Sequence, residues 1–145
     1  MHAFDLIEMA ELVGMKPAKV KNWTVGRPFT IHPSAYQATG RGSINLYSIQ
    51  DVYLMAVAGE FSKAGFAAVA IGKFIESIQV KVPDIATAPI LTVWRRKAGG
   101  KFEIAEGRIN PADAVLWITL DAPKIVQAIN QKAEKMHRGP RVRKP

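Results

Sequence analysis

The sequence predicts a mostly α-helical chain with a small β component: a helix-turn-helix, a turn-rich wing and a helix pair, followed by a small ββ-β-α unit. Three observations point there. Apolar residues recur at helical spacing through successive segments before residue 80, and the segments are punctuated by Gly14, by the Gly- and Pro-rich stretch 24–45, and by Gly65. After Val82-Pro83 the period changes to short β-prone runs. A final apolar stripe, Ile125, Ile129, Ala133 and Met136, then reads as one face of a closing helix.

Asp5 can cap a first helix in which Leu6, Met9, Ala10 and Val13 form the inward stripe, with Ile7 and Leu12 beside it and Glu8 and Glu11 outward. Gly14 permits the positive φ of a tight turn between helices, and Met15 can plug the angle between them. Pro17 is tolerated only in a helix's first turn, so a second, short helix is expected from about Lys16 to Trp23. Val20 and Trp23 should face inward, leaving Lys16, Lys19 and Asn22, flanked by Ala18 and Lys21, to face solvent or a groove. From Thr24 to Asn45, the pieces Phe29-Thr30-Ile31 and Ile44-Asn45-Leu46 are expected to pair as a hairpin wing with its tip near Thr39 to Ser43. Ser48 and Asp51 open the third helix as a capping box in which Asp replaces the usual Glu or Gln. It runs to Gly65 and is followed by a helix from Phe66 to Gln79 whose expected core residues are Phe66, Val69, Ala70, Phe74, Ile75 and Ile78.

Pro89 to Arg96 and Lys101 to Glu106 flank Lys97-Ala98-Gly99-Gly100 as a hairpin, Val115 to Leu120 reads as a third strand, and Asp121 caps the last helix. The expected organisation is therefore a first domain at 1–79, a small α/β unit at 86–137 and a basic tail at 138–145. A chain of 145 residues, 48% of them apolar, has room for one good core or two modest ones.

Charge narrows the partners. The net charge of +8 favours polyanions, and no acidic residue lies between Glu11 and Asp51, the stretch that holds Lys16, Lys19, Lys21, Arg27 and Arg41. The lack of cysteine removes disulfides, thiolate metal sites and thiol redox sensing together. The first residues lack the pattern of a signal peptide and no apolar run is long enough to span a membrane, so a cytoplasmic, nucleoid-associated protein is expected. The scattered His2, His32 and His137 have no ligand-spaced neighbours, no cofactor is implied, and neither a phosphate loop nor a nucleophile motif suggests an enzyme.

Leu12-Val13-Gly14-Met15-Lys16-Pro17-Ala18-Lys19-Val20-Lys21-Asn22-Trp23, then Leu46-Tyr47-Ser48-Ile49-Gln50-Asp51-Val52, then Ala64-Gly65-Phe66 together resemble the N-terminal domain of the MerR family of transcription regulators. The resemblance covers about half the chain. It implies a winged helix-turn-helix whose second helix enters the major groove while the wing grips the flanking backbone. The chain departs from the family pattern in three places. Lys21, Asn22 and Trp23 stand where the family carries an arginine and an aromatic pair, and Ile44 and Asn45 stand where it often has tyrosine and arginine. Val80-Lys81-Val82-Pro83-Asp84 cannot continue into the family's dimerising coiled coil, so a homodimer would have to form through the C-terminal unit.

The expected DNA-contacting residues are Lys16, Ala18, Lys19, Lys21 and Asn22 on the second helix, with Arg27, His32, Tyr36, Arg41 and Tyr47 from the wing segment. Lysines and arginines supply affinity through displaced counterions, whereas Asn22 can read a base edge. Trp23 can stack on sugar or base, but core packing is the expected role. Trp94 and Trp117 could line an apolar effector pocket, although core or interface packing is the commoner use of such residues. The functional expectation is a bacterial or phage transcription regulator that binds double-stranded DNA as a homodimer, with RNA polymerase as a further candidate partner. Two alternatives stand beside it: an excisionase-like or architectural DNA-bending factor, and an adaptor that docks a protein through its C-terminal unit.

Overall fold

The computed structural model describes residues 3–40 and 43–138, and the helices begin and end where their caps allow. Helix α1, Leu6–Val13, opens with a reciprocal capping box between Asp5 and Glu8 and stops at Gly14, whose φ of 67° is the left-handed cap the turn requires. Helix α2 spans Pro17–Thr24, α3 Ile49–Lys63 and α4 Ala68–Lys81. A 3-10 turn, Ile85–Thr87, leads into strands β1, Leu91–Arg95, β2, Glu103–Glu106, and β3, Leu116–Leu120, before α5, Ala122–Arg138, ends the described chain. The strands form an antiparallel sheet in the order β2-β1-β3, and the architecture is mixed α/β.

Helix α3 is the central element because it is apolar around nearly its whole circumference, every residue from Asp51 to Gly59 being buried. Helices α1, α4 and α5 and the 3-10 turn all pack on it. In α4 the inward face is Ile71, Gly72, Phe74, Ile75 and Ile78, whereas Val69, expected inside, is exposed and Phe66 and Ala70 are half-buried. The helix starts two residues later than expected, at Ala68, which leaves Val69 in the first turn, outside the inward stripe that begins at Ile71.

The sheet joins the helices through aromatic contacts. Phe61 and Phe74 stack with ring centroids 3.9 Å apart, and Phe102 meets them edge-on at 6.4 and 6.0 Å. From the other side Val126, Ile129 and Ala133 of α5 enter the same buried cluster, and the Tyr53 hydroxyl donates to the Asn130 side chain. Residues expected to fall into two units thus draw on one continuous core. From residue 139 onward the expected basic tail lies outside the described residues.

The first turn of α3 holds the surrounding irregular segments. The buried Asp51 carboxylate accepts from Ser34 N at 2.8 Å, Ser34 Oγ at 2.7 Å and Ser48 N at 2.9 Å. Gln50 donates to Asp84 at 2.8 Å and accepts from Ile85 N at 3.0 Å, fixing the 3-10 turn. The segment 24–45 differs from the expected hairpin wing. Residues 29–31 form no strand, because Phe29 and Ile31 are drawn into the core, and pairing is limited to a bridge between Tyr36 and Leu46 plus Ala38 N donating to the Asn45 side chain at 2.7 Å.

Asp51→Ala removes the acceptor shared by three donors of Ser34 and Ser48, so it is expected to cost about 2 kcal/mol in urea unfolding. Burial raises the Tyr53 phenol above its ordinary 10.0, and the charge of Asp84 adds to the rise. A phenol is neutral when protonated, so the unfolded chain ionises first as pH passes 10, binds fewer protons than the folded one, and stability falls until the folded phenol ionises too. Urea titrations across that range should show a smaller alkaline loss for Tyr53→Phe than for the parent chain.

Candidate nucleic-acid interface

Helix α2 is seated by the turn that precedes it and the irregular segment that follows. Met15 N donates to Ala10 O at 3.1 Å, and the Met15 side chain lies against Gly59, where a Cβ would meet its sulfur at 2.9 Å. Met15 therefore plugs the angle between α1 and α2, as its position in the sequence suggests, and Gly59 of α3 makes the close approach possible. Behind α2, Val20 is fully buried, and Trp23 is buried with its ring centroid 5.0 Å from that of Phe29. Ile31 N donates to Trp23 O at 2.8 Å, which carries the chain back beneath the helix. Phe29 in turn lies on Gly72 of α4, where a Cβ would come within 2.9 Å of the Phe29 Cβ.

The opposite face of α2 is open. Lys16, Ala18, Lys19, Lys21 and Asn22 are all exposed, as is Arg27, whose backbone N–H donates to Asn22 O at 2.9 Å and so keeps the arginine close to the helix's end. Lys16 is the N-cap and no side chain caps the helix, so the first backbone N–H groups of α2 have no side-chain acceptor. Among the described residues, ion pairs occupy Lys63 and Arg96 and leave Lys16, Lys21 and Arg27 unpaired.

Lys19 sits differently from expectation. Its ammonium donates to Ser62 Oγ at 2.7 Å and lies 5.1 Å from the Trp23 ring centroid. The reason is helical: Lys19 is four residues before Trp23, on the flank of the inward stripe, so its stem runs over the indole toward α3. Lys16 has the same relation to Val20. Ala18, Lys21 and Asn22 therefore make up the outermost face, which reverses the expected order in which Ala18 and Lys21 flank the others.

The residues expected to contact DNA from the segment after α2 divide. His32 and Tyr36 are exposed, Tyr36 beside the bridge to Leu46, while Arg41 lies outside the described residues. Tyr47 requires correction: it is only 1% exposed and cannot reach a phosphate. The cause is an antiparallel bridge to Phe4, with Phe4 N to Tyr47 O at 2.8 Å and Tyr47 N to Phe4 O at 2.7 Å, which draws both rings into the core. Sequence reasoning also missed a cleft of about 370 Å³ in which the exposed Ile7, Val25 and Ile44 line the space beside Lys21. The odd position of Ile7 on α1, off the main apolar stripe, was its available signal.

The two tryptophans of the sheet sit across from each other on β1 and β3. Trp94 is nearly buried, and its cross-strand neighbour Trp117 is 48% exposed. A groove of about 560 Å³ lies between α1, α3, β3 and α5, lined by Leu12, Ala56, Ile118, Leu120, Ile125 and Ile129 with Lys124 and Lys132 also on its walls, and neither tryptophan reaches it. Among the described residues no group of three His, Cys, Asp or Glu side chains could hold a metal ion, and no helix is long and apolar enough to cross a membrane. Compared with known protein families and with curated proteins, the chain finds no match.

The seat of α2 should be sensitive to bulk at Gly72. Gly72→Val is expected to push Phe29 off Trp23 and lower stability by about 1–3 kcal/mol, readable both in thermal unfolding and as a change in tryptophan fluorescence.

Proposed function

We propose that the chain is a sequence-specific, double-stranded DNA-binding transcription regulator with a MerR-like winged helix-turn-helix, acting as a homodimer. One observation carries the reading. A short helix, locked on one side by Val20 and Trp23, presents Lys21, Asn22 and Ala18 outward between the unpaired charges of Lys16 and Arg27, in a stretch of chain without acidic residues. Phosphate neutralisation by Lys16, Lys21 and Arg27 supplies affinity and orientation, and the uncapped start of α2 offers backbone N–H groups to a phosphate. Asn22, with its amide donor and acceptor, offers bidentate pairing to adenine, and Ala18 offers apolar contact to a thymine methyl group. His32 and Tyr36 add contacts to the flanking backbone. Lys19, held by Ser62, contributes less than its neighbours unless DNA draws it away.

Fluorescence anisotropy with a labelled random duplex tests the reading. Binding is expected at about 50 mM salt and should weaken steeply toward about 200 mM as counterions compete. Lys21→Glu with Arg27→Glu should lower affinity by well over tenfold at unchanged helicity, and Lys19→Glu should lower it less. Duplex that leaves the chain unbound at the lower salt concentration overturns the proposal. Selection from a random duplex pool then separates the regulator from an architectural factor: a regulator enriches a palindrome, whereas a bending factor enriches none.

A further inference from the structure

The two edges of the sheet are built differently. Strand β2 is guarded: its sequence begins and ends with Glu103 and Glu106, Glu103 is ion-paired to Arg96 at 2.9 Å, and α4 packs beside the strand. Charged residues and a covering helix are what stop a sheet edge from recruiting another strand. Strand β3 has neither protection. It reads Leu116-Trp117-Ile118-Thr119-Leu120, without a charge or a proline, pairs with β1 on one side, and has no strand on the other among the described residues. Around it Val115 is 62%, Trp117 48% and Ile109 42% exposed, and Ile109 is tethered over the outer face by its N–H donating to Thr92 Oγ1 at 3.0 Å.

We propose that the open edge of β3 is where two copies of this chain join, strand to strand and antiparallel, into one sheet of order β2-β1-β3-β3-β1-β2. The inference rests on and deepens the homodimer in the reading above by naming its surface. The occupant follows from the strand's own pattern. About a two-fold axis at Ile118, Leu116 faces Leu120 of the second copy, Ile118 faces its counterpart, and Trp117 lies across from Thr119, so the apolar inner face of each copy continues that of the other. Charge selects the same surface. Two chains that each carry +8 repel over most of their surface, but β3 carries no charge, and in the groove beside it Glu60 and Asp121 offset two of the three lysines, Lys63, Lys124 and Lys132. The outer faces then form one apolar patch in which each Trp117 is covered from across the axis.

Sedimentation equilibrium of the full chain, without DNA and at micromolar concentration, tests the surface separately from DNA binding. The parent chain is expected at twice the monomer mass. Trp117→Glu with Thr119→Glu places like charges opposite each other on an exposed face and should give a monomer with unchanged circular dichroism. Trp117→Lys with Thr119→Glu puts opposite charges across the same axis and should restore the dimer. A monomeric parent chain overturns the proposal, and so does a double-glutamate variant that stays dimeric or a lysine-glutamate variant that stays monomeric. If the monomer still binds duplex, the DNA reading survives the loss of this one; if the dimer forms and duplex is ignored, the reverse holds.

Discussion

One buried carboxylate holds the irregular part of this chain to its regular part. Asp51 closes the capping box of α3 and also accepts both Ser34 hydrogen bonds, so the helix start and the segment around Ser34 share one acceptor. A buried carboxylate is tolerable only when it is hydrogen-bonded, and here three donors converge on its Oδ2. Gln50, one residue earlier, holds the 3-10 turn that carries the chain from α4 toward the sheet. The first turn of α3 is therefore a junction from which the basic half and the sheet half are both positioned.

The exposed helix depends on a second chain of contacts. Gly59 admits Met15, Trp23 lies on Phe29, and Phe29 lies on Gly72, so α2 is backed by α3 and α4 through positions where a missing Cβ lets neighbours approach. Such backing matters for the proposed role, because a helix that reads a groove must hold its side chains in register while its own outer face makes no contacts that would fix it. Lys19 shows the competition this creates. Its charge is satisfied by Ser62 and the Trp23 ring at the expense of availability, whereas Lys21, Lys16 and Arg27 have no such protein partner among the described residues.

The sheet and α5 belong to the same core as the helices, and this bears on how any DNA-binding surface would be paired. Phe102 inserts among Phe61, Phe66 and Phe74, Tyr53 meets Asn130, and Leu120 of β3 and Val20 and Trp23 of α2 belong to one buried cluster. A contact formed at the β3 edge would thus fix the separation of two α2 helices. A flexible linker between two independent units would leave it variable.

The presence and order of the helices, the burial of Val20 and Trp23, the caps at Asp5 and Ser48, and the strands after Pro89 were legible in the sequence, because each depends on local periodicity or on a side chain capping its own backbone. The acid-free basic stretch was legible for the same reason. Three features were not: Tyr47 turned inward, Lys19 folded onto Ser62, and Phe29 and Ile31 pulled out of a hairpin into the core. Their partners, Phe4, Ser62 and Gly72, lie 43 residues from Tyr47, Lys19 and Phe29 in each case. Local pattern determined which segments are helix or strand and where positive charge collects. Tertiary structure alone decided which of those side chains remain free, since contacts between residues far apart in the chain are set by packing and leave no periodic trace in it.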